Sequence, residues 1–146
     1  MSEVGTVIGD GMLRLEFLVT GASSQGALHE IRATYAPESP LAVAHFHPAQ
    51  DERFEVLEGE LLFVVDGNER RVGAGETLDI PRGSVHQVRN PGTFPAVADW
   101  QTRPALRTGE FLEAAAAARA TGDLDALLEV VAAYDDVFVL GDQPGG

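Results

Sequence analysis

For roughly its first hundred residues the chain alternates short apolar runs with breaks that carry Gly, Pro, Asn or Asp. Candidate strands cover residues 13–20, 27–35, 41–47, 52–58, 61–66, 69–72, 77–80, 85–90 and 94–102. Asp66-Gly67-Asn68 is a hairpin signal, because Asp and Gly tolerate the positive φ that a tight turn demands. Short strands at such regular spacing predict an all-β sandwich or barrel.

The rhythm then changes. Residues 110–119 are dominated by Ala114 to Ala118, the strongest helix former, so a helix is expected there. Gly122 suits the left-handed position past a helix end, and Asp123 suits the N-cap of a second helix. That helix places Leu124, Leu127, Leu128 and Val131 at i, i+3, i+4 and i+7, one apolar stripe to lay on the barrel. Val137-Phe138-Val139-Leu140 reads as an extended segment docked on the body. The expected organisation is one domain over 1–146, with a barrel at about 6–104 and a helical extension at about 108–140.

Composition removes whole classes of chemistry. The chain has no cysteine, hence no disulfide, no thiolate zinc site and no thiol nucleophile. All ten basic residues are arginine, so lysine Schiff bases and lysine general bases are excluded. A net charge of −13 opposes nucleic acid, whose phosphates need a basic face. No apolar stretch reaches transmembrane length, and Met1-Ser2-Glu3-Val4-Gly5 lacks the basic start of a signal peptide. A cytoplasmic protein is the default expectation.

Chemistry concentrates in two blocks that hold three of the four histidines. In the first, His45, His47, Glu52 and Gly59 fit H-x-H-x4-E-x6-G. In the second, Gly75, Pro81, Gly83, His86 and Asn90 fit G-x5-P-x-G-x2-H-x3-N. Imidazole and carboxylate hold borderline first-row divalent metals. On a strand, the H-x-H pair projects both rings to one face. Three imidazoles and one carboxylate buried without an ion would leave several groups unpaired. His29 lies outside both blocks and reads as a hydrogen-bonded core histidine.

The two blocks resemble the sequence motifs of the cupin superfamily, and the Phe111-Leu112-Glu113 helical start with the apolar run Val137 to Leu140 is similar to some small quercetin-dioxygenase-like cupins. One departure stands at Ser39, where the pattern often has Gly; Ser39-Pro40 still favours a turn. The resemblance implies a mainly β fold, a jelly-roll barrel with a short C-terminal helical segment. It also implies His45, His47, Glu52 and His86 as ligands of one divalent transition metal per chain, its identity among Fe, Mn, Ni, Cu, Co and Zn left open. Gly59, Gly75, Pro81 and Gly83 would serve turns, and Asn90 would end its strand.

Strand parity sketches the pocket. Leu41 and Val43 share the side of His45 and His47; Phe54 and Val56 share that of Glu52; Ser84 and Val88 share that of His86. Val43, Phe54, Val56 and Val88 are therefore the expected substrate wall, apolar and without arginine. Such a wall suits a small, largely uncharged aromatic or enolisable substrate. The leading expectation is a metal-dependent dioxygenase-type oxidoreductase, in which the resemblance implies Glu52 as catalytic base. Metal-assisted isomerisation or cyclisation, or a non-catalytic metal- or metabolite-binding cupin, stay open. Expected partners are a small-molecule substrate, dioxygen if the oxygenative route holds, and neither nucleic acid nor membrane. Ala42, Ala44, Phe46 and Leu57 on the outer strand faces need a cover, so a homodimer is expected.

Overall fold

Alternation of buried and exposed side chains organises the central strands. Along Asp51–Glu58 the side chains of Glu52, Phe54 and Val56 are buried while Arg53, Glu55 and Leu57 face out. A computed structural model describes residues 2–141. Its strands are β1 (Val7–Gly9), β2 (Leu13–Val19), β3 (His29–Tyr35), β4 (His45–Phe46), β5 (Asp51–Glu58) and β6 (Glu60–Val65). They continue as β7 (Asn68–Gly73), β8 (Thr77–Ile80), β9 (His86–Arg89), β10 (Ala96–Arg103) and β11 (Val139–Leu140). Two helices, α1 (Thr108–Thr121) and α2 (Leu124–Ala133), precede β11.

The strands form two antiparallel sheets, ordered β1-β2-β3-β10-β5-β8 and β11-β4-β9-β6-β7. This is the mainly β jelly-roll architecture expected. Between the sheets lies one apolar core, with Phe17, Ile31, Val56, Leu61 and Phe63 fully buried. Each such side chain contributes roughly 1.5–3 kcal/mol by leaving water. Gly59 makes the turn from β5 to β6 at φ 75°, and a Cβ there would lie 3.1 Å from the backbone of Ala96. The Asp66-Gly67 hairpin forms as expected, with both residues at positive φ.

Two local expectations about the strands change. β1 adds an edge strand that the sequence pattern did not suggest. The expected strand over 41–47 shrinks to His45–Phe46, because the chain enters through Pro40 after a left-handed Glu38 at φ 54°. Residues 41–44 are held by single bonds, such as Ala42 N to Val88 O at 3.1 Å, not by a ladder. Ser39 earns its place through its hydroxyl, which accepts from the Asn90 backbone N–H at 2.8 Å. Asn90 ends its strand as expected: its side chain donates to Tyr35 O and Phe94 O and accepts from Gly92 N.

The helices are bounded as expected, with Gly122 left-handed at φ 74° and the Asp123 carboxylate accepting from Asp125 N. The buried stripe of α2 is different. Leu124 and Leu128 are exposed, whereas Leu127, Val130, Val131 and Tyr134 pack on Phe111 and Val137. Both stripes obey the same helical spacing; the residues waiting below, Phe111 and Val137, select the phase. Arg107 then pins the end of α2, pairing with Asp136 and lying 4.4 Å over the Tyr134 ring. No described helix is long and apolar enough to cross a membrane.

Candidate metal centre

His45 on β4 faces His86 on β9 as a direct cross-strand pair. His47 follows one residue after β4 ends, and all three rings point into the space between the sheets. One donor atom from each ring lies within 4.8 Å of the others, an arrangement that could hold a metal ion. The backbone decides which nitrogen is free. Nδ1 of His45 donates to Val43 O at 2.9 Å, that of His86 to Ser84 O at 3.0 Å, and that of His47 to Val137 O at 2.7 Å. A carbonyl only accepts, so each Nδ1 keeps its hydrogen, and in the neutral ring Nε2 carries the lone pair.

Glu52 enters from the opposite sheet. Its Oε1 lies 3.1 Å from His47 Nε2 and 2.9 Å from His86 Nε2. Its Oε2 accepts from Trp100 Nε1 at 2.6 Å. Even so, Glu52 Oε1 and His47 Nε2 are buried without an aligned hydrogen bond. Burial alone would raise the Glu52 carboxyl, but the neighbouring His47 and His86 hold it well below the usual range. At His47 burial works against the proton and Glu52 outweighs it, so its pKa rises. Burial, then the nearby His86 and His47, pushes His45 down to about 3. The three histidines fit a divalent cation: their donors converge with tautomers set, and the Glu52 carboxylate lies beside two of them, His47 and His86.

The C-terminal segment completes the centre. β11 pairs with β4, placing Val139 opposite Phe46 and Leu140 opposite His45. Phe138 stacks on His45 with centroids 4.4 Å apart and also on Phe111 at 5.0 Å. The neighbouring Val137 supplies the carbonyl that orients His47. The expected docked segment is thus part of the site.

The three histidines and Glu52 line a cavity of about 430 Å³. Its other walls include Leu15, Tyr35, Phe54, Val88, Trp100, Phe111 and Phe138. Of the expected wall, Val43, Phe54 and Val88 line the cavity, while Val56 is fully buried in the core and does not. Parity failed for the residues before β4, since no regular strand runs there: Val43 is exposed at the rim, Leu41 is outside the lining, and Ala42 lines it. An arginine also appears, Arg119 near the end of α1. A second cavity of about 280 Å³ shares Met12, Leu13, Leu15, Leu112 and Arg119 with the first.

Trp100, Gln50, Thr102, Thr108 and Phe138 were missed as site residues. Trp100 and Thr102 could have been found, because they share one face of β10; Phe138 carried no signal beyond its apolar run. His29 lies off the centre and is buried, but neither ring nitrogen has a hydrogen-bond partner, contrary to expectation. Its ring stands edge-on to Phe17 at 4.7 Å.

Comparison with known proteins agrees with this geometry. Residues 31–100 match the family described as a cupin domain. The chain is similar to the tetracenomycin polyketide synthase protein TcmJ of Streptomyces glaucescens, 37% identical over 60 residues, 41% of this chain and 40% of that one. It is also similar to the protein YdbB of Bacillus subtilis (strain 168), 49% identical over 47 residues, 32% of this chain and 42% of the other. The chain thus spans about two-fifths of these relatives. Among solved structures, oxalate oxidase in complex with glycolate aligns with TM-score 0.57 and 26% identity, over 72% of this chain and 59% of that one. A cupin-superfamily sugar phosphate isomerase from Silicibacter pomeroyi aligns with TM-score 0.54 and 24% identity, over 62% and 59% of the two chains. At that identity the likeness speaks for the fold alone. Taken together, the matched residues 31–100, the two-sheet barrel and the C-terminal helices show that the chain has the mainly β cupin fold, with a middle segment similar to the cupin domain family.

Proposed function

We propose that this protein is a metal-dependent cupin enzyme of dioxygenase type, acting on a small, uncharged aromatic or enolisable substrate. One observation carries the reading: three Nε2 lone pairs with fixed tautomers converge beside a buried carboxylate at the wall of an apolar chamber. His45, His47, His86 and Glu52 would hold one divalent ion. Bound there, the ion supplies Lewis acidity toward a substrate oxygen and a place for a second small ligand such as dioxygen.

The chain's own residues do the rest. Phe54, Val88, Trp100 and Phe138 exclude water and flank a planar substrate. Glu52 is held ionised, and its Oε2 is tied to Trp100. Its Oε1 therefore faces the chamber as the oxygen that accepts a proton from a substrate hydroxyl. With the three histidines committed to the ion, and without lysine or cysteine in the chain, Glu52 is the one carboxylate among the lining residues left to take that proton. A proton moved by Glu52 without oxygen consumption would serve an isomerase or cyclase equally, so the same residues support that second reading.

Oxygen uptake by metal-loaded protein with a panel of flavonols, catechols and diketones tests the proposal. Substrate-dependent uptake, lost in Glu52→Gln far more than metal content is lost, is the expected result. Product formation without uptake would move the protein to the isomerase reading. Neither product nor uptake would leave a binding protein.

A further inference from the structure

The chamber carries a second set of polar groups that the metal centre does not use. Gln50 and Thr102 both line it and are 1% and 2% exposed. Gln50 Nε2 donates to Pro104 O at 2.9 Å, Ala105 O at 3.0 Å and Thr108 Oγ1 at 2.7 Å. Turning the amide over would set its oxygen against two carbonyl oxygens, so the orientation is fixed. Gln50 Oε1 is therefore an acceptor only, and it is buried without a partner. The Thr102 hydroxyl is likewise buried and unpartnered. Thr102 sits on β10 opposite Glu52 of β5, two residues from Trp100, so it borders the metal centre. Buried polar atoms are nearly always paired, and two unpaired oxygens on residues that line one chamber point to a ligand's polar group there.

From these groups we infer that Gln50 and Thr102 form a substrate-anchoring subsite for a neutral hydroxyl, next to the oxygen that the metal holds. Gln50 Oε1 demands a donor, and the Thr102 hydroxyl can donate or accept. A carboxylate or phosphate at this position would face an amide oxygen and the ionised Glu52. The one arginine of the lining, Arg119, is exposed near the far end of α1. The substrate class narrows accordingly, to uncharged ring compounds bearing two neighbouring oxygens of which one keeps its hydrogen. Small dicarboxylates and sugar phosphates are selected against. This rests on the reading of the chamber as the substrate site of a metal centre.

The test uses three probes of one ring size: catechol, guaiacol (one hydroxyl capped by methyl) and salicylate (one hydroxyl replaced by carboxylate). Each is titrated calorimetrically into zinc-loaded wild type, Thr102→Val and Thr102→Ser, with metal content and melting temperature measured for every protein. Catechol is expected to bind at least about tenfold more tightly than either analogue in wild type, because a site built for a hydroxyl rejects its absence. Thr102→Val should close most of that gap and Thr102→Ser should restore it, with metal content unchanged. The Val variant should melt no lower than wild type, since it removes a hydroxyl with no partner. Equal binding of catechol and guaiacol, tightest binding of salicylate, no binding of catechol, or a gap unmoved by Thr102→Val would each overturn the subsite. A chain without metal would sink the metal centre instead, and the same gap, read on the metal-free proteins, would still decide the role of Thr102.

Discussion

The indole Nε1 of Trp100 donates to Oε2 of Glu52 at 2.6 Å, so the chain's single tryptophan orients the carboxylate beside the three histidines. The two residues lie on adjacent strands, and Trp100 is held in turn by its cross-strand partner Phe54, stacked at 5.6 Å and 12°. Trp100→Phe should keep that stack and lose the donor. Metal affinity is expected to fall about 10–100-fold, the usual cost of removing a group that positions a ligand. The metal-free protein should lose about 1–3 kcal/mol in denaturant unfolding, because a buried carboxylate oxygen loses its partner. Unchanged metal affinity would reduce the indole to packing.

Protein purified without chelator should carry about one divalent transition ion per chain, measured by elemental analysis. His47→Ala and His86→Ala should each abolish stoichiometric loading, since both contribute an Nε2 next to Glu52 Oε1. His29→Ala should load like wild type. A protein that takes up no metal under reconstitution would remove the basis of the proposed function.

His29 gives a pH signature separate from the metal. Burial lowers its pKa from 6.5 to about 4, with Glu110 opposing. Between those two pH values the unfolded chain binds a proton that the folded chain refuses. Stability from this residue is therefore complete above pH 6.5 and falls as pH drops toward 4, by about 3 kcal/mol in all. His45, pushed down to about 3, acts in the same direction in metal-free protein. The His29 share is thus the difference between wild type and His29→Leu in urea unfolding at pH 7 and pH 4. The variant should be no less stable at pH 7 and clearly less pH-sensitive; parallel pH curves would show that His29 is accessible to protons in the folded state.

Ending the chain after Tyr134 would remove the carbonyl of Val137 and the ring of Phe138, which orient His47 and cover His45. Such a protein should retain its sheet signature in circular dichroism but bind metal at least about tenfold more weakly. Phe138→Ala, which keeps the Val137 carbonyl, should fall between the two. Equal metal affinity in all three proteins would make the C-terminal segment a bystander.

Assembly is open to a direct measurement. Phe46 is half-buried, its ring 3.3 Å from where a Cβ of Gly141 would stand, so part of the outer face is covered from within the chain. Leu57, Leu124, Leu128 and Phe94 stay exposed, Phe94 at 78%. We expect light scattering at micromolar concentration to give twice the 15.5 kDa chain mass. A monomer would show that these apolar side chains stay in water.

Much was legible in one dimension because strand geometry has a period of two and helix capping is local. His45, His47, Glu52 and His86 could be read together from spacing, as could the Asp66-Gly67 hairpin and the Gly122-Asp123 break. None of those depends on what lies across the molecule. The rest turned on partners distant in sequence. Which of two equally periodic stripes of α2 is buried depended on Phe111 and Val137 beneath it. Which nitrogen of His47 is free depended on a carbonyl ninety residues away. Val56 falls in the core and Val43 at the rim because the sheets close over one and the strand dissolves before the other. Gln50 and Thr102 stood out only when the barrel left their oxygens buried and unpaired on the lining of one chamber.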